Sequence, residues 1–253
     1  MRVNDLTRRV TAEFLGTAFL VAAVIGSGIA ASRLSPDDVG LQLLENSVAT
    51  GAALVALILA LQPVSAAFNP VVTLVERALG ALSTAHAAAL IAAQIAGGIA
   101  GAIVANLMFD LGPVSISTHE RSGAGLWLGE VVATLGLVVI IFGVVRSGRG
   151  HTVAFAVGGY ITAAYWFTSS TSFANPAVTV ARMFSDTFAG IAPGSVAMFV
   201  AMQLLGGALA FAVVNLLYPD AATVAAEITG ERVRAPAPTP APRPPRPGRA
   251  ARS

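Results

Sequence analysis

The chain has 253 residues, of which 55% are hydrophobic and 11% charged, with a mean hydropathy of +0.76. A soluble domain carries about 25% charged residues, so an ordinary soluble fold is excluded, and the complete lack of cysteine excludes disulfides, thiolate chemistry and zinc–thiolate sites. All fifteen cationic side chains are arginine, and Arg234, Arg243, Arg246, Arg249 and Arg252 crowd in or beside a proline-rich end, so the net charge of +2 points to no nucleic-acid partner.

Residues 1–10, MRVNDLTRRV, are a short basic segment ahead of an apolar run. Such a start raises a signal peptide. Glu13 lies inside the run, however, and no small-residue cleavage site leads into a soluble domain, so the run reads as a retained first span. Apolar segments at 12–32, 42–62, 84–109, 125–146, 152–169 and 194–218 are each long enough to cross a bilayer, which predicts six spans. Two shorter apolar stretches, 63–80 and 170–184, each begin near an Asn-Pro and read as re-entrant half-helices. The predicted fold is therefore all-α and membrane-embedded, with a channel domain over 11–220. The tail at 221–253, rich in Pro and Arg, has the composition of a disordered segment. Arginines before the first span, at Arg77, at Arg146 and Arg149, and in the tail fall on one side of a six-span chain, which predicts a cell-membrane protein with both termini cytoplasmic.

The chain repeats itself. AEFLGTAFLVAAVIG from Ala12 matches GEVVATLGLVVIIFG from Gly129, with Glu13 facing Glu130. NPVVTLVER from Asn69 matches NPAVTVARM from Asn175, and QIAGGIAGAIVANL from Gln94 matches QLLGGALAFAVVNL from Gln203. The repeats run over about 11–110 and 125–220 in the same element order. Three spans per copy is an odd number, so the second copy enters from the opposite face. The result is an inverted three-plus-three repeat whose interrupted segments mark the transport path. Asn is a strong N-cap and Pro suits the first helical turn. The pairs Asn69–Pro70 and Asn175–Pro176 therefore read as two half-helix starts meeting near mid-membrane. Their positive ends repel cations, and their side-chain amides are available to a neutral solute.

These residues resemble the aquaporin and glycerol-facilitator family over about 8–220: the AEFLGT start, both Asn-Pro loops, the glutamate of the fourth span and the QxxGG segments. The resemblance implies a passive channel and a homotetramer with one pore per subunit; no cofactor or metal is expected. The chain departs from the family pattern at named positions. The first loop, PVSAAFNPV, is one residue short and has Ala67 where the family has histidine; its motif is Asn69, Pro70, Val71. The second motif is intact as Asn175, Pro176, Ala177, but the arginine expected next is Val178. By family spacing the constriction consists of Thr50 (or Ala49), Ala163, Ser172 and Val178, all small and uncharged, which predicts a wide filter without arginine. The segment 163–182 is similar to a bacterial subgroup associated with arsenic resistance.

Glu13 and Glu130 admit a proton-relay reading and a loop-bracing one. Their pseudo-symmetry and their structural use in the family favour bracing, with Gln94 and Gln203 bracing beside them. His86, His119 and His151 share no metal-ligand spacing, and Trp127, Trp166 and Tyr218 read as interfacial anchors. The leading functional reading is passage of small uncharged solutes, metalloid hydroxides such as arsenous acid and polyols, through the lipid bilayer. A water or water/glycerol channel is the alternative. A secondary transporter, which would need ionisable coupling groups in the path, stands third. No catalytic motif is present, so an enzyme is not expected.

Overall fold

The computed structural model describes residues 4–218, so the tail predicted at 221–253 lies outside the described residues. Among the described residues the structure is helical throughout: α1 (Asp5–Leu34), α2 (Val39–Leu61), α3 (Pro70–Ala78), α4 (Thr84–Met108), α5 (Ala124–Arg146), a 3-10 turn (Gly150–Thr152), α6 (Val153–Phe167), α7 (Pro176–Arg182) and α8 (Pro193–Leu217). The first helix starts a full two turns before the apolar run. Asn4 caps it by accepting from the Leu6 amide (3.1 Å), and Asp5 sits favourably in its first turn.

Helices α1, α2, α4, α5 and α8 are each long and apolar enough to cross a membrane. The fifth crossing is different. The sequence predicts a span over 152–169, but α6 has fifteen residues, about 22 Å at ~1.5 Å per residue, short of a hydrocarbon core of about 30 Å. It ends where Thr168 adopts an extended backbone, its hydroxyl donating to the Ala164 carbonyl (2.7 Å). The 3-10 turn precedes it and non-helical chain over 168–174 completes the passage. Irregular backbone at that depth is tolerated only where protein satisfies its polar groups, and here Glu130 does so.

The two repeats pack alike. α1 crosses α4 and α5 crosses α8, with α2 against α6 and α3 against α7 between them. Close approach needs glycine: a Cβ at Gly97 would lie 2.2 Å from the Phe14 carbonyl oxygen, and one at the equivalent Gly206 would lie 2.6 Å from that of Val131. Small residues at such crossings allow dispersion contacts where lipid provides no hydrophobic drive. The outward faces carry Leu15, Phe19, Val48, Val104, Leu128, Val132, Phe155 and Leu209, all exposed. On a membrane protein this is the lipid- or partner-facing surface.

A connecting segment over 109–123 crosses one end of the bundle and is tied to the chain that follows α7. Ser115 and Ser117 amides donate to the Phe184 and Met183 carbonyls (3.1 and 2.9 Å), and the Ala192 amide donates to the His119 carbonyl (2.7 Å). Asn106 donates to the Phe184 and Pro113 carbonyls, while its Oδ1 accepts from Ser185. Asn215, its repeat counterpart, instead donates to the carbonyl of its own Phe211.

Candidate functional site

Two short helices, α3 and α7, start at the centre of the molecule. Asn69 caps α3 by accepting from the Val71 amide (2.9 Å), and Asn175 caps α7 by accepting from the Ala177 and Val178 amides (3.0 and 3.3 Å). Each Asn also reaches across. The Asn69 Nδ2 donates to the Ala174 carbonyl (2.8 Å) and the Asn175 Nδ2 to the Phe68 carbonyl (2.7 Å). The half-helices are thereby stapled start to start. Each amide has two N–H groups, so one staples while the other is available to the lumen that both residues line.

The residues just before each Asn are in left-handed backbone: Phe68 (φ 47°) and Ala174 (φ 49°). This costs a non-glycine residue about 1–2 kcal/mol, and a carboxylate offsets it in each repeat. Glu13 accepts from the Ala67 and Phe68 amides (2.9 and 2.7 Å), the Ser65 hydroxyl (2.5 Å) and Gln94 Nε2 (2.8 Å). Glu130 accepts from the Phe173 and Ala174 amides (both 2.9 Å) and Gln203 Nε2 (2.6 Å). Gln94 and Gln203 each also donate to the threonine of the adjoining half-helix, Thr73 (2.9 Å) and Thr179 (2.8 Å). All four bracing side chains are fully buried. Their geometry is that of loop supports, with every carboxylate oxygen already accepting.

A cavity runs past both Asn residues, from Arg9, Gln62 and Glu76 at one end to Tyr165, Phe173 and Arg182 at the other. One wall is apolar and comes from the long helices: Leu20, Val24, Leu54, Ile58, Leu137 and Ile141. The opposite wall follows the two loops and carries Ser65, Asn69, Ser172 and Asn175. The path is thus greasy on one side and hydrogen-bonding on the other.

Of the four residues placed at the constriction by spacing, Thr50, Ser172 and Val178 line this cavity. Ala163 does not; it is exposed on the outer face of α6. The lumen stripe of α6 is Val153, Val157, Ile161 and Tyr165, spaced by four as one helical face requires. Family spacing puts Ala163 there, but α6 ends early and Thr171 and Ser172 take left-handed backbone (φ 60° and 52°). Tyr165 replaces Ala163 at the mouth, its phenol oxygen 3.2 Å from the Thr50 hydroxyl. Among the described residues the Ser172 hydroxyl has no protein partner.

Arginine is also present, one turn from where the family pattern puts it. Arg182 follows Val178 by four residues on the same face of α7 and lines the same cavity. Its Nε donates to the Ala189 carbonyl and its guanidinium lies 3.4 Å from the centre of the Phe173 ring. Arg121, from the connecting segment, approaches the same ring at 5.1 Å and donates to the Gly190 carbonyl (2.8 Å). Sequence spacing alone missed both. The i, i+4 relation between Val178 and Arg182 was the available signal for one; for Arg121 there was none, since its placement depends on the fold of 109–123.

A family model described as major intrinsic protein matches residues 1–158. The chain is 49% identical over 232 residues to aquaglyceroporin AqpS of Rhizobium meliloti (strain 1021), covering 91% of this chain and 99% of that protein. Its fold is similar to the X-ray structure of the aquaglyceroporin from Plasmodium falciparum, with a TM-score of 0.66 at 17% identity, covering 85% of this chain and 98% of that one. With the inverted repeat, the paired half-helices and these likenesses in place, the chain belongs to the major intrinsic protein family, multi-pass membrane channels and not enzymes.

Proposed function

We propose that the chain is a passive channel for small uncharged solutes bearing several hydroxyls, polyols such as glycerol and metalloid hydroxides such as arsenous acid. The observation that carries this reading is the two-sided lumen: Ser65, Ser172 and the two Asn amides on the loop side face Leu20, Val24 and Leu54 on the long helices, with the Thr50 and Tyr165 hydroxyls at the mouth. Water needs no apolar wall, whereas a polyol or metalloid hydroxide sheds its hydration at lower cost when both of its sides find partners. Val178, in place of a long guanidinium at that depth, leaves the bore wider there. The printed name of the R. meliloti relative, an aquaglyceroporin, agrees with the polyol half of the reading.

In this reading the four pore-motif positions Asn69, Pro70, Asn175 and Pro176 hold the half-helix starts, and Val71 and Ala177 continue them. Thr50, Tyr165, Ser172 and Val178 form the constriction, and Glu13, Glu130, Gln94 and Gln203 hold the loops. The channel domain spans about 11–220, both termini face the cytoplasm of a cell membrane, and four copies assemble through the exposed apolar faces. The two positive helix starts exclude cations and hydronium. Purified protein in liposomes tests the reading: glycerol and arsenous acid enter faster than into empty vesicles, urea and water are measured beside them, and no proton current accompanies the flux. Water permeation without glycerol or arsenous acid permeation would favour a water channel instead.

A further inference from the structure

We propose that a chamber at the outer mouth binds a small carboxylate, which obstructs the lumen while it is seated there. The chamber has a volume of about 210 Å³ and is lined by Asn46, Arg121, Tyr165, Thr171, Arg182 and Phe188 among others. A single water needs only about 10–15 Å³ on this measure, so a guest of several heavy atoms fits. Arg182 is 3% exposed, yet among the described residues no carboxylate pairs with it and nothing accepts from its terminal nitrogens. It also lines the lumen below, so its fork spans the two spaces.

Two guanidinium groups flank the Phe173 ring, and among the described residues no Asp or Glu lines the chamber. Like charges held together repel, and a buried ion without a directly paired counter-charge is costly. An anion in the chamber relieves both terms; a neutral polyol relieves neither. Glu130 attracts both guanidiniums only at a distance, since its oxygens accept from Phe173, Ala174 and Gln203, and Asp186 accepts from Thr118. The planar guanidinium fork matches a carboxylate with two parallel N–H···O bonds. Carbonyls of Ala189, Gly190 and Phe188 hold both arginines in position beforehand, so little ordering is lost on binding. Further travel inward would bring the anion against Val178 and the apolar helix wall, where dehydration is unfavourable. The anion therefore stops at the mouth.

The obstruction rests on the channel reading; the binding does not, and the experiment separates them. Thermal unfolding of the full chain in detergent is followed by tryptophan fluorescence in acetate and in chloride at equal ionic strength and pH. Acetate at ten times its Kd raises Tm by about 3–6 °C, and Arg121→Gln and Arg182→Gln abolish the rise. No rise in the unmodified protein, or an equal rise in the variants, overturns the site. Should Arg182→Gln fail to fold, Arg121→Gln on the outer connecting segment decides alone. In a second arm, liposomes equilibrated with acetate on both sides receive a glycerol gradient. Glycerol flux falls by about half or more relative to chloride, since about nine-tenths of mouths are occupied at that concentration, and the fall disappears in Arg121→Gln. A Tm rise with undiminished glycerol flux overturns the obstruction. Absence of glycerol flux even in chloride overturns both the obstruction and the channel reading, and leaves the binding to the thermal arm.

Discussion

Val178 and Arg182 lie one turn apart on α7 and both face the lumen. Val178→Arg places a second guanidinium beside the first, at a point flanked by Thr50, Tyr165 and Ser172. Its bulk narrows the bore, and like charges at i, i+4 cost about 0.2–0.5 kcal/mol even on an exposed helix. The expected outcome is a fall in the ratio of glycerol and arsenous acid permeability to that of water, in liposomes of matched protein content. An unchanged ratio would remove position 178 from the constriction. Tyr165 is a second control point. Tyr165→Phe keeps the ring and loses the hydrogen bond to Thr50, so water flux holds while glycerol flux falls modestly. Tyr165→Ala removes the ring and admits a four-carbon polyol that the unmodified protein excludes, read as osmotic reswelling. The bracing carboxylates are less forgiving. Glu130→Gln puts an N–H₂ where the Ala174 amide and Gln203 both donate, and an unsatisfied buried donor costs about 1–3 kcal/mol. A fall in Tm with loss of correctly folded yield is expected; unchanged Tm would mean that the carboxylate is not the support of its loop.

At the scale of elements, the connecting segment and the loop after α7 form one cap over an end of the bundle. The Thr118 amide and hydroxyl donate to Asp186 (2.8 and 3.1 Å), and the amide bond first of all holds this exposed carboxyl below its ordinary value. A depressed carboxyl pKa contributes stability that is present above the unfolded value, near 3.9, and lost as pH falls through the lower folded value. Hydrogen exchange at the Thr118 amide should therefore quicken on acidification below about pH 4. Asp186→Asn should give faster exchange at neutral pH and a flatter pH profile; exchange that ignores both changes would show that Asp186 does not tie the cap. How far these elements were legible follows from local chemistry. The long apolar runs and the Asn-Pro starts announce themselves because hydropathy and capping are local. The end of α6 at Phe167 does not, because it depends on Glu130, on another helix, drawing the Phe173 and Ala174 amides out of helical register. Ala163 was accordingly placed two residues from Tyr165, the side chain that reaches the mouth.

For the whole molecule, the internal repeat was the most legible feature, since matching Glu, Asn-Pro and Gln-Gly-Gly positions recur in order. Glu13 with Gln94 and Glu130 with Gln203 repeat the same hydrogen bonds in both halves. What the repeat could not disclose is its broken symmetry. The lumen ends differ, Arg9 and Glu76 at one and Arg182 with Arg121 nearby at the other, because the connecting segment covers a single face. Arg121 reaches that mouth from a stretch whose course is set by backbone bonds between Ser115 and Phe184, Ser117 and Met183, and His119 and Ala192, about seventy positions apart. The central claim is that this inverted repeat encloses a passive route for neutral hydroxylated solutes. Its most direct measurement is stopped-flow light scattering of liposomes containing the purified full chain, under an inward glycerol gradient, with internal pH recorded in the same vesicles. Glycerol influx several-fold above that of empty vesicles, proportional to the gradient and unaffected by an imposed pH difference, is the predicted result. Influx no faster than in empty vesicles, or influx driven by the pH difference, would contradict it.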